Sequence, residues 1–422
     1  MNARFLLSLG LAGVLLATEV RAEDKVAVTW HGKRYDAATL PADLPDSARA
    51  AVAEWRAWAH KAEYQMEFDA TGRVLLLTAE KSSRAESALP IVARAEGWFD
   101  DLLPLTNAVP IQAPSAAIPA KGAKPPQKPA AKKTEDIPED PEGAPPVLAP
   151  PKATPGSKTS TAKPEAAATA WGSGSFVPDS RTAVLIAFAN EKDQESALAH
   201  LSNQHPELAT WAAKAGTDLG FVIENPLVAA FVESASGQEE WSPEHEIVNR
   251  LVRLFLLSRF GQMPNWVTHG VAWEAETAFD GSIWVYPYRS EFVYTVEHAA
   301  WPLDLAHEFQ DRAKKPLQIE ELTRWARGTW DGTSARHAFG FVHALAATKK
   351  PALAGILADF RAHRDENNKK LGDDGTWTRN AEWESPPAAQ LAILRARAGD
   401  NVLADVGNWL AKQGGGKTQS VR

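Results

Sequence analysis

The residues that could do chemistry in this chain are concentrated between positions 243 and 276. His245 and Glu246 are adjacent, Asn249 lies one helical turn further on, and His269 and Glu276 follow in the next segment. Imidazole and carboxylate side chains bind divalent metal ions, and a glutamate beside such an ion can take a proton from the metal-bound water. The pattern therefore predicts a hydrolytic metal centre or the remnant of one.

Two consecutive helices are predicted to position these side chains. The first opens with the His-Glu pair and is apolar around most of its circumference, which is typical of a buried helix. Gly261 and Pro264 end it. The second places His269, Trp273 and Glu276 on one face, because residues three and four positions apart lie above one another. We expect the two helices to bring their polar residues together.

The template for the first helix is the HExxH word of zinc peptidases, in which two histidines bind the metal and the glutamate is the general base. Here the word is HExxN, with Asn249 in the second ligand position. The second helix, PNWVTHGVAWEAE, resembles the P-x-W-(I/L/V)-x-E-G-(L/V)-A-x-(Y/W)-x-E segment of gluzincin-type (peptidase MA-like) secreted zinc metallopeptidase-like domains. The resemblance covers residues 70 to 108 and 178 to 412, and is clearest at 243 to 276 and 334 to 360.

The resemblance implies an α+β, zincin-like fold. In this fold a small mixed or antiparallel sheet precedes the HExx helix, and a mostly helical C-terminal half closes the cleft. The family's third zinc ligand is the glutamate before the glycine, and His269 stands there in this chain. His245, Asn249 and His269 are therefore the implied metal ligands, with Glu246 as the general base of an active enzyme.

This ligand set predicts weak zinc binding or none. Asn249 offers an amide oxygen, which suits hard ions better than zinc. Even a partner outside the ligand shell is worth about 10- to 100-fold in affinity, so a missing ligand costs more. Zinc binding then requires a substitute third ligand, for which the candidates are Glu276, Glu274, His298 and His337.

Two other features have both a functional and a structural interpretation. Glu246 is either the general base or a negative side chain that favours the start of its helix. The second HExx word, His307-Glu308, is predicted to be a coincidence, since no Gly-Val-Ala helix follows it.

The chain has 16 tryptophans, which is high for its length. The aromatic candidates for a cleft are Trp273, Trp284, Tyr286, Tyr288 and Trp301, with His337 as a further cleft residue. The alternative, which we favour, is that tryptophan fills the core of a protein that has no cysteine.

Residues 1 to 22 have the charged, apolar and small-residue organisation of a signal peptide, with cleavage expected after Ala22. The alternative is an N-terminal helix that stays in the membrane. No later segment approaches about 18 uninterrupted apolar residues, so no membrane span is expected in the mature chain. We expect an exported protein, periplasmic or extracellular.

Charge and motifs exclude several classes of function. The chain has 45 basic and 53 acidic residues, a net charge of −8, and loss of the leader makes it more negative. Nucleic acid is therefore not an expected partner. The sequence has no nucleophile elbow, phosphate-binding loop or dinucleotide-binding turn, so acyl-enzyme, nucleotide and hydride chemistry are not supported.

Composition divides the mature chain into five segments. Residues 23 to 70 are an N-terminal extension with a short hairpin and a helix, and 71 to 108 begin the peptidase-like domain. Residues 109 to 175, rich in Pro, Ala and Lys, are predicted to be a disordered insertion. The main part of the domain spans 176 to 412, and 413 to 422 form a disordered tail.

The leading hypothesis is a non-catalytic peptidase homologue, without a cofactor, that binds peptide or a cell-envelope component. One alternative is an active, atypical zinc metallopeptidase that uses His245 and His269, with Glu246 as base. Another is a structural or interaction protein of the envelope.

Overall fold

The structure is a computed structural model. It describes residues 26–82, 84–104, 181–216, 220–233, 242–285, 300–312, 315–324, 332–368, 370–371, 377–378 and 383–413. The predicted leader, the insertion at 109 to 175 and residues 414 to 422 of the predicted tail lie outside these ranges.

Seven strands form one mixed sheet and two short strands form a separate hairpin. The seven are β1 (Ala27–Trp30), β2 (Lys33–Asp36), β3 (Tyr64–Phe68), β4 (Val74–Ala79), β5 (Ala183–Phe188), β6 (Gly220–Ile223) and β7 (Val228–Val232), and the hairpin is β8 (Lys370–Leu371) with β9 (Trp377–Thr378). The order in the sheet is β2-β1-β3-β4-β5-β7-β6. Strands β1 and β3, β4 and β5, and β5 and β7 are parallel, and the other neighbours are antiparallel.

The helices described are α1 (Asp46–Ala62), α2 (Arg84–Leu102), α3 (Glu191–Gln204), α4 (Ala209–Ala215), α5 (Pro243–Phe260), α6 (Asn265–Asp280), α7 (Trp301–Asp311), α8 (Ile319–Thr323), α9 (Gly332–Asn367), α10 (Pro387–Ala398) and α11 (Val402–Gln413). A 3₁₀ turn at Pro206–Leu208 separates α3 from α4. The long helix α9 has a non-helical backbone at Lys349, just before Pro351.

The sheet is mixed, as predicted, but it is larger than the small sheet that the resemblance implied. The segment from 23 to 70 supplies β1, β2 and β3, and β3 pairs with β4 from Tyr64 opposite Ala79 to Phe68 opposite Leu75. This segment is therefore part of the same sheet as the strands that lead to α5. Strands β4 and β5 flank the predicted insertion in the chain, and they are parallel neighbours with Leu76 opposite Leu185.

Alternating side chains of the central strands enter two hydrophobic cores. Leu75 and Ile186 face a core with α1, α3 and α4, whereas Leu76 and Leu185 face a core with α2, α5, α6 and α9. A sheet covered on both faces needs apolar residues in both registers, and β5 (AVLIAF) is buried along its whole length. The second core holds the helices that carry the chemistry-bearing residues. No helix in the described ranges is long and apolar enough to cross a bilayer.

Candidate functional site

The start of α5 fixes the position of the His-Glu pair. The Ser242 hydroxyl accepts a hydrogen bond from the Glu244 backbone N–H at 3.2 Å, and Pro243 occupies the first helical position. Both features favour a helix start at this point. The first turn therefore carries His245 and Glu246 into the core, where they are 4% and 2% exposed.

Glu276 of α6 is the centre of a buried hydrogen-bond network. Its side chain is fully buried, and its Oε1 accepts from Asn249 Nδ2 at 2.6 Å. Its Oε2 accepts from the backbone N–H groups of Trp284 at 2.8 Å and Val285 at 3.3 Å. Three N–H donors thus converge on one carboxylate, which ties α5 and the segment after α6 to the same side chain.

His245 approaches the same carboxylate without a hydrogen bond to it. Its Nδ1 lies 3.6 Å from Glu276 Oε2 and 3.7 Å from Asp280 Oδ2. In the part of the chain that the structure describes, this buried nitrogen has no hydrogen-bond partner. The imidazole ring packs against Trp284, with ring centroids 5.7 Å apart. His245 and Asn249, one helical turn apart, therefore converge on α6 as predicted.

Glu246 points to a different partner. Its Oε2 lies 3.0 Å from Arg250 Nη2, and both side chains are almost fully buried, at 3% and 4% exposure. Arg250 also donates from Nε to the Ala230 carbonyl of β7 at 3.4 Å. The carboxylate that the HExx word assigns to a general base is thus paired with an arginine on its own helix.

His269, at the predicted third ligand position, is 4% exposed and packs against the Trp273 ring, with centroids 5.7 Å apart. Burial lowers the pKa of His269 well below its usual range, and the charges of Arg253 and Arg250 lower it further. His269 is therefore a neutral imidazole in a positively charged surrounding.

Burial dominates the titration of both core carboxylates. It raises the pKa of Glu246, against which the Arg250 charge acts, while Glu276 raises it further. It also raises the pKa of Glu276, against which His245, the Trp284 N–H and Asn249 act. Glu276 is held by three N–H donors, whereas Glu246 is balanced by the charge of Arg250, and its buried Oε2 accepts no hydrogen bond in the part of the chain that the structure describes.

These residues do not fit a three-ligand zinc site. The Asn249 amide turns its N–H toward Glu276, and both oxygens of the substitute ligand Glu276 accept hydrogen bonds. A dication near His269 would be repelled by Arg250 and Arg253. Within the described ranges, no group of three or more His, Asp or Glu side chains is arranged to hold a metal ion.

The remaining substitute ligands are engaged elsewhere or lie outside the described residues. Glu274 Oε2 accepts from His343 Nδ1 at 2.7 Å. His337 Nε2 donates to Glu308 Oε1 at 2.6 Å, which joins it to the second HExx word. Arg312 and Arg336 also pair with Glu308, at 3.2 Å each, so that word belongs to an ion-pair cluster between α7 and α9. His298 lies outside the described residues.

The aromatic cleft candidates that the structure describes are core residues. Trp273 is fully buried, donates from Nε1 to the Val285 carbonyl at 2.7 Å and meets the Trp301 ring edge-on at 5.3 Å. Trp284 and Trp301 are 1% and 5% exposed. Tyr286 and Tyr288 lie outside the described residues. The tryptophans here fill space between helices, as the alternative interpretation expected.

Sequence reasoning missed two participants, Arg250 and Asp280. Arg250 lies four residues after Glu246, the spacing at which opposite charges pair on one helix. Arg250 also lies in a helix that is apolar around most of its circumference, which was a second indication that its side chain is buried and needs a partner. Asp280 ends α6 and follows Glu276 by one turn, so it shares the face of that residue.

Comparisons with known proteins add no relative. No family model matches this chain, and no curated protein matches it. The resemblance to gluzincin-type domains therefore rests on the motif words and on their order along the chain.

Proposed function

We propose that this chain is an exported, non-catalytic homologue of gluzincin-type metallopeptidases that binds peptide or a cell-envelope component. In this proposal the zincin-like helix pair is retained as a scaffold, and its metal site is replaced by hydrogen bonds within the protein. The protein then acts by binding, and it does not hydrolyse peptide bonds.

The observation that carries the proposal is the contact between Asn249 and Glu276. The 2.6 Å hydrogen bond uses the amide N–H at the position where an active enzyme has an imidazole ligand. It also occupies the carboxylate that is best placed to compensate for that substitution. Both helices contribute to this contact, since Asn249 lies on α5 and Glu276 on α6, and this supports a structural role for the residues at the catalytic positions.

Burial of this network supports an interaction surface elsewhere on the protein. His245, Asn249 and Glu276 are 4%, 1% and 0% exposed, so in the described part of the chain none of them offers a face to a ligand. This favours a partner that contacts other parts of the molecule. The alternative of a structural or interaction protein of the envelope is therefore a variant of the same proposal. It differs only in that the cleft of the resembled family is closed and does not bind the partner.

The experiment compares metal content and peptidase activity in the purified mature protein. We expect wild type to carry far less than one zinc ion per chain and to hydrolyse no peptide library. Glu246→Gln should leave both results unchanged. The matched control is Glu244→Gln, which changes a less buried carboxylate in the same helical turn.

A gain-of-metal variant tests the scaffold itself. Asn249→His with His269→Glu restores the zinc-ligand motif of the resembled family, with His at 245 and 249 and Glu at 269. We expect this double variant to bind zinc where wild type does not. Stoichiometric zinc in wild type, with activity that is lost in Glu246→Gln, would instead establish the active-peptidase alternative. No zinc in the double variant, in a folded protein, would contradict the zincin-like scaffold.

A further inference from the structure

Arg250 is a cation inside the core beside the carboxylate of the HExx word. Its side chain is 4% exposed and its Nη2 lies 3.0 Å from Glu246 Oε2. Its Nε donates to the Ala230 carbonyl of β7 at 3.4 Å. Arginine keeps its charge in proteins, so this contact brings a full positive charge against α5 and the sheet.

The neighbouring strand is adapted to this side chain. Gly220 opens β6 and pairs with Phe231 of β7. A Cβ atom at Gly220 would lie 2.8 Å from Arg250 Nη2 and 2.5 Å from the Ala230 carbonyl oxygen. Any side chain at this position would therefore collide with the guanidinium and with the strand that accepts its hydrogen bond. The absence of a side chain at residue 220 makes room for the arginine.

We infer that Arg250 supplies beside Glu246 the positive charge that zinc supplies in an active peptidase. We also infer that Arg250, held by Glu246 on the same helix, locks α5 onto the β6–β7 edge of the sheet through its hydrogen bond to the Ala230 carbonyl. A buried carboxylate needs a nearby positive charge, and a metal ion or a guanidinium meets that need. The inference rests on the proposed lack of zinc, and it assigns the residue that takes the place of the metal charge.

A double-mutant cycle tests the lock. Arg250→Met keeps a long apolar side chain but leaves Glu246 buried without its partner, so we expect Tm to fall by about 6–15 °C. Glu246→Gln alone should also lower Tm. Combining the two removes both charges, and we expect the double variant to lose less than half of the sum of the two single losses.

Arg361 and Asp365 provide the control cycle, because they have the same spacing on α9 but are 29% and 44% exposed, with Nε and Oδ2 3.6 Å apart. Arg361→Met and Asp365→Asn should be additive to within about 2 °C. If Arg250→Met fails to fold, the readout becomes the soluble yield, which Glu246→Gln should restore.

Two results would overturn the lock: additive losses at Arg250 and Glu246, or no recovery of yield in the double variant. Either result in a zinc-free protein refutes the lock alone. Stoichiometric zinc in wild type refutes the proposed function as well, so the two failures are distinguishable.

Discussion

The Asn249 amide donates its N–H to Glu276, and this contact determines which atoms of the polar core remain able to bind a ligand. A histidine in its place would present a ring nitrogen as a ligand, whereas the amide N–H requires an acceptor. Glu276 is that acceptor at 2.6 Å. With asparagine at position 249, this side chain therefore faces a carboxylate.

Asn249→Asp tests this contact with almost no change of shape. It removes the N–H donor and places a second carboxylate against the buried Glu276. We expect the free energy of unfolding at pH 8 to fall by at least about 3 kcal/mol, since a hydrogen bond to a charged group is worth about 1.5–3 kcal/mol and an unpaired buried charge adds to the loss. Urea denaturation measures the change.

The control for this prediction is Asn367→Asp at the exposed end of α9, where the amide Nδ2 donates to the His363 carbonyl at 2.8 Å. Loss of this exposed contact should cost no more than about 1 kcal/mol. A loss at Asn249 as small as that at Asn367 would mean that the Asn249 amide does not hold Glu276.

Glu96 of α2 gives a pH-dependent prediction away from the polar core. Burial raises its pKa to about 7, with Asp69 and Asp100 adding to the shift and Arg73 opposing it. The folded state therefore holds this proton more tightly than the unfolded state, and stability falls as pH rises from about 4.5 to about 7.

Glu96→Gln removes this penalty. The variant should gain about 1 kcal/mol over wild type above pH 7, after allowance for solvent screening of a half-buried carboxyl, and should gain nothing below about pH 4.5. Urea denaturation at pH 4.5 and pH 8 measures the difference. Glu86→Gln, at an exposed carboxyl on the same helix, is the matched control for removal of a surface charge.

The sequence indicated the residues of the site but not their partners. His245, Asn249 and Glu276 were recognisable because helical spacing places them on facing sides of two neighbouring helices. The spacing of Glu246 and Arg250 on one helix was a local signal for their pairing, but the room that Gly220 of β6 provides for the guanidinium was not visible in any local pattern. The pairing of His337 with Glu308 joins residues that are 29 positions apart, and it is equally invisible in either segment alone.

At the scale of elements, α6 and α9 approach each other closely at Gly270. A Cβ atom at this position would lie 2.6 Å from Val342 Cγ2 and 2.8 Å from the Ala338 carbonyl oxygen. Helix packing therefore requires glycine at position 270, and this requirement does not depend on the residue at position 269.

Gly270→Ala should separate α6 from α9 and lower the free energy of unfolding by about 1–3 kcal/mol. The matched variant is Gly97→Ala in the interior of α2, where a Cβ atom meets nothing within 4 Å. That change should raise stability by about 0.5–1 kcal/mol, because alanine loses less backbone freedom than glycine. Urea denaturation of both variants measures the opposite signs, and equal signs would contradict the close approach.

Elements with a strong period were predictable, and so was a short hairpin within residues 23 to 70, which β1 and β2 form, but the place of that hairpin in the main sheet was not. Strand β5 and helices α5 and α6 have continuous apolar or helical patterns, so their existence follows from sequence. Strand β2 reads KRYD and lies at an edge of the sheet, and without its hairpin partner it has no apolar pattern to recognise. Its membership in the main sheet is set by pairing with β1, which local propensity does not encode.

At the scale of the whole molecule, the sheet is continuous across the predicted insertion. Strand β4 ends before it and β5 begins after it, yet the two are paired in parallel from Val74 opposite Ala183 to Thr78 opposite Ala187. Central pairing of this kind joins the two parts of the chain into one hydrophobic core on each face of the sheet.

Replacement of residues 109 to 175 by a flexible Gly/Ser linker of about 20 residues should therefore leave the fold intact. Loop-closure entropy changes by only about 0.6 kcal/mol for each twofold change in length, so shortening the connection should leave the free energy of unfolding unchanged or raise it by about 1 kcal/mol. Urea denaturation of the full and shortened chains measures this, with near-ultraviolet circular dichroism of the core tryptophans as a check on packing. A second variant, in which the same residues are replaced by a Gly/Ser linker of equal length, separates composition from length. A loss of cooperative unfolding in both variants would show that the native residues of this segment contribute to the core, and the sheet would then not be sufficient by itself.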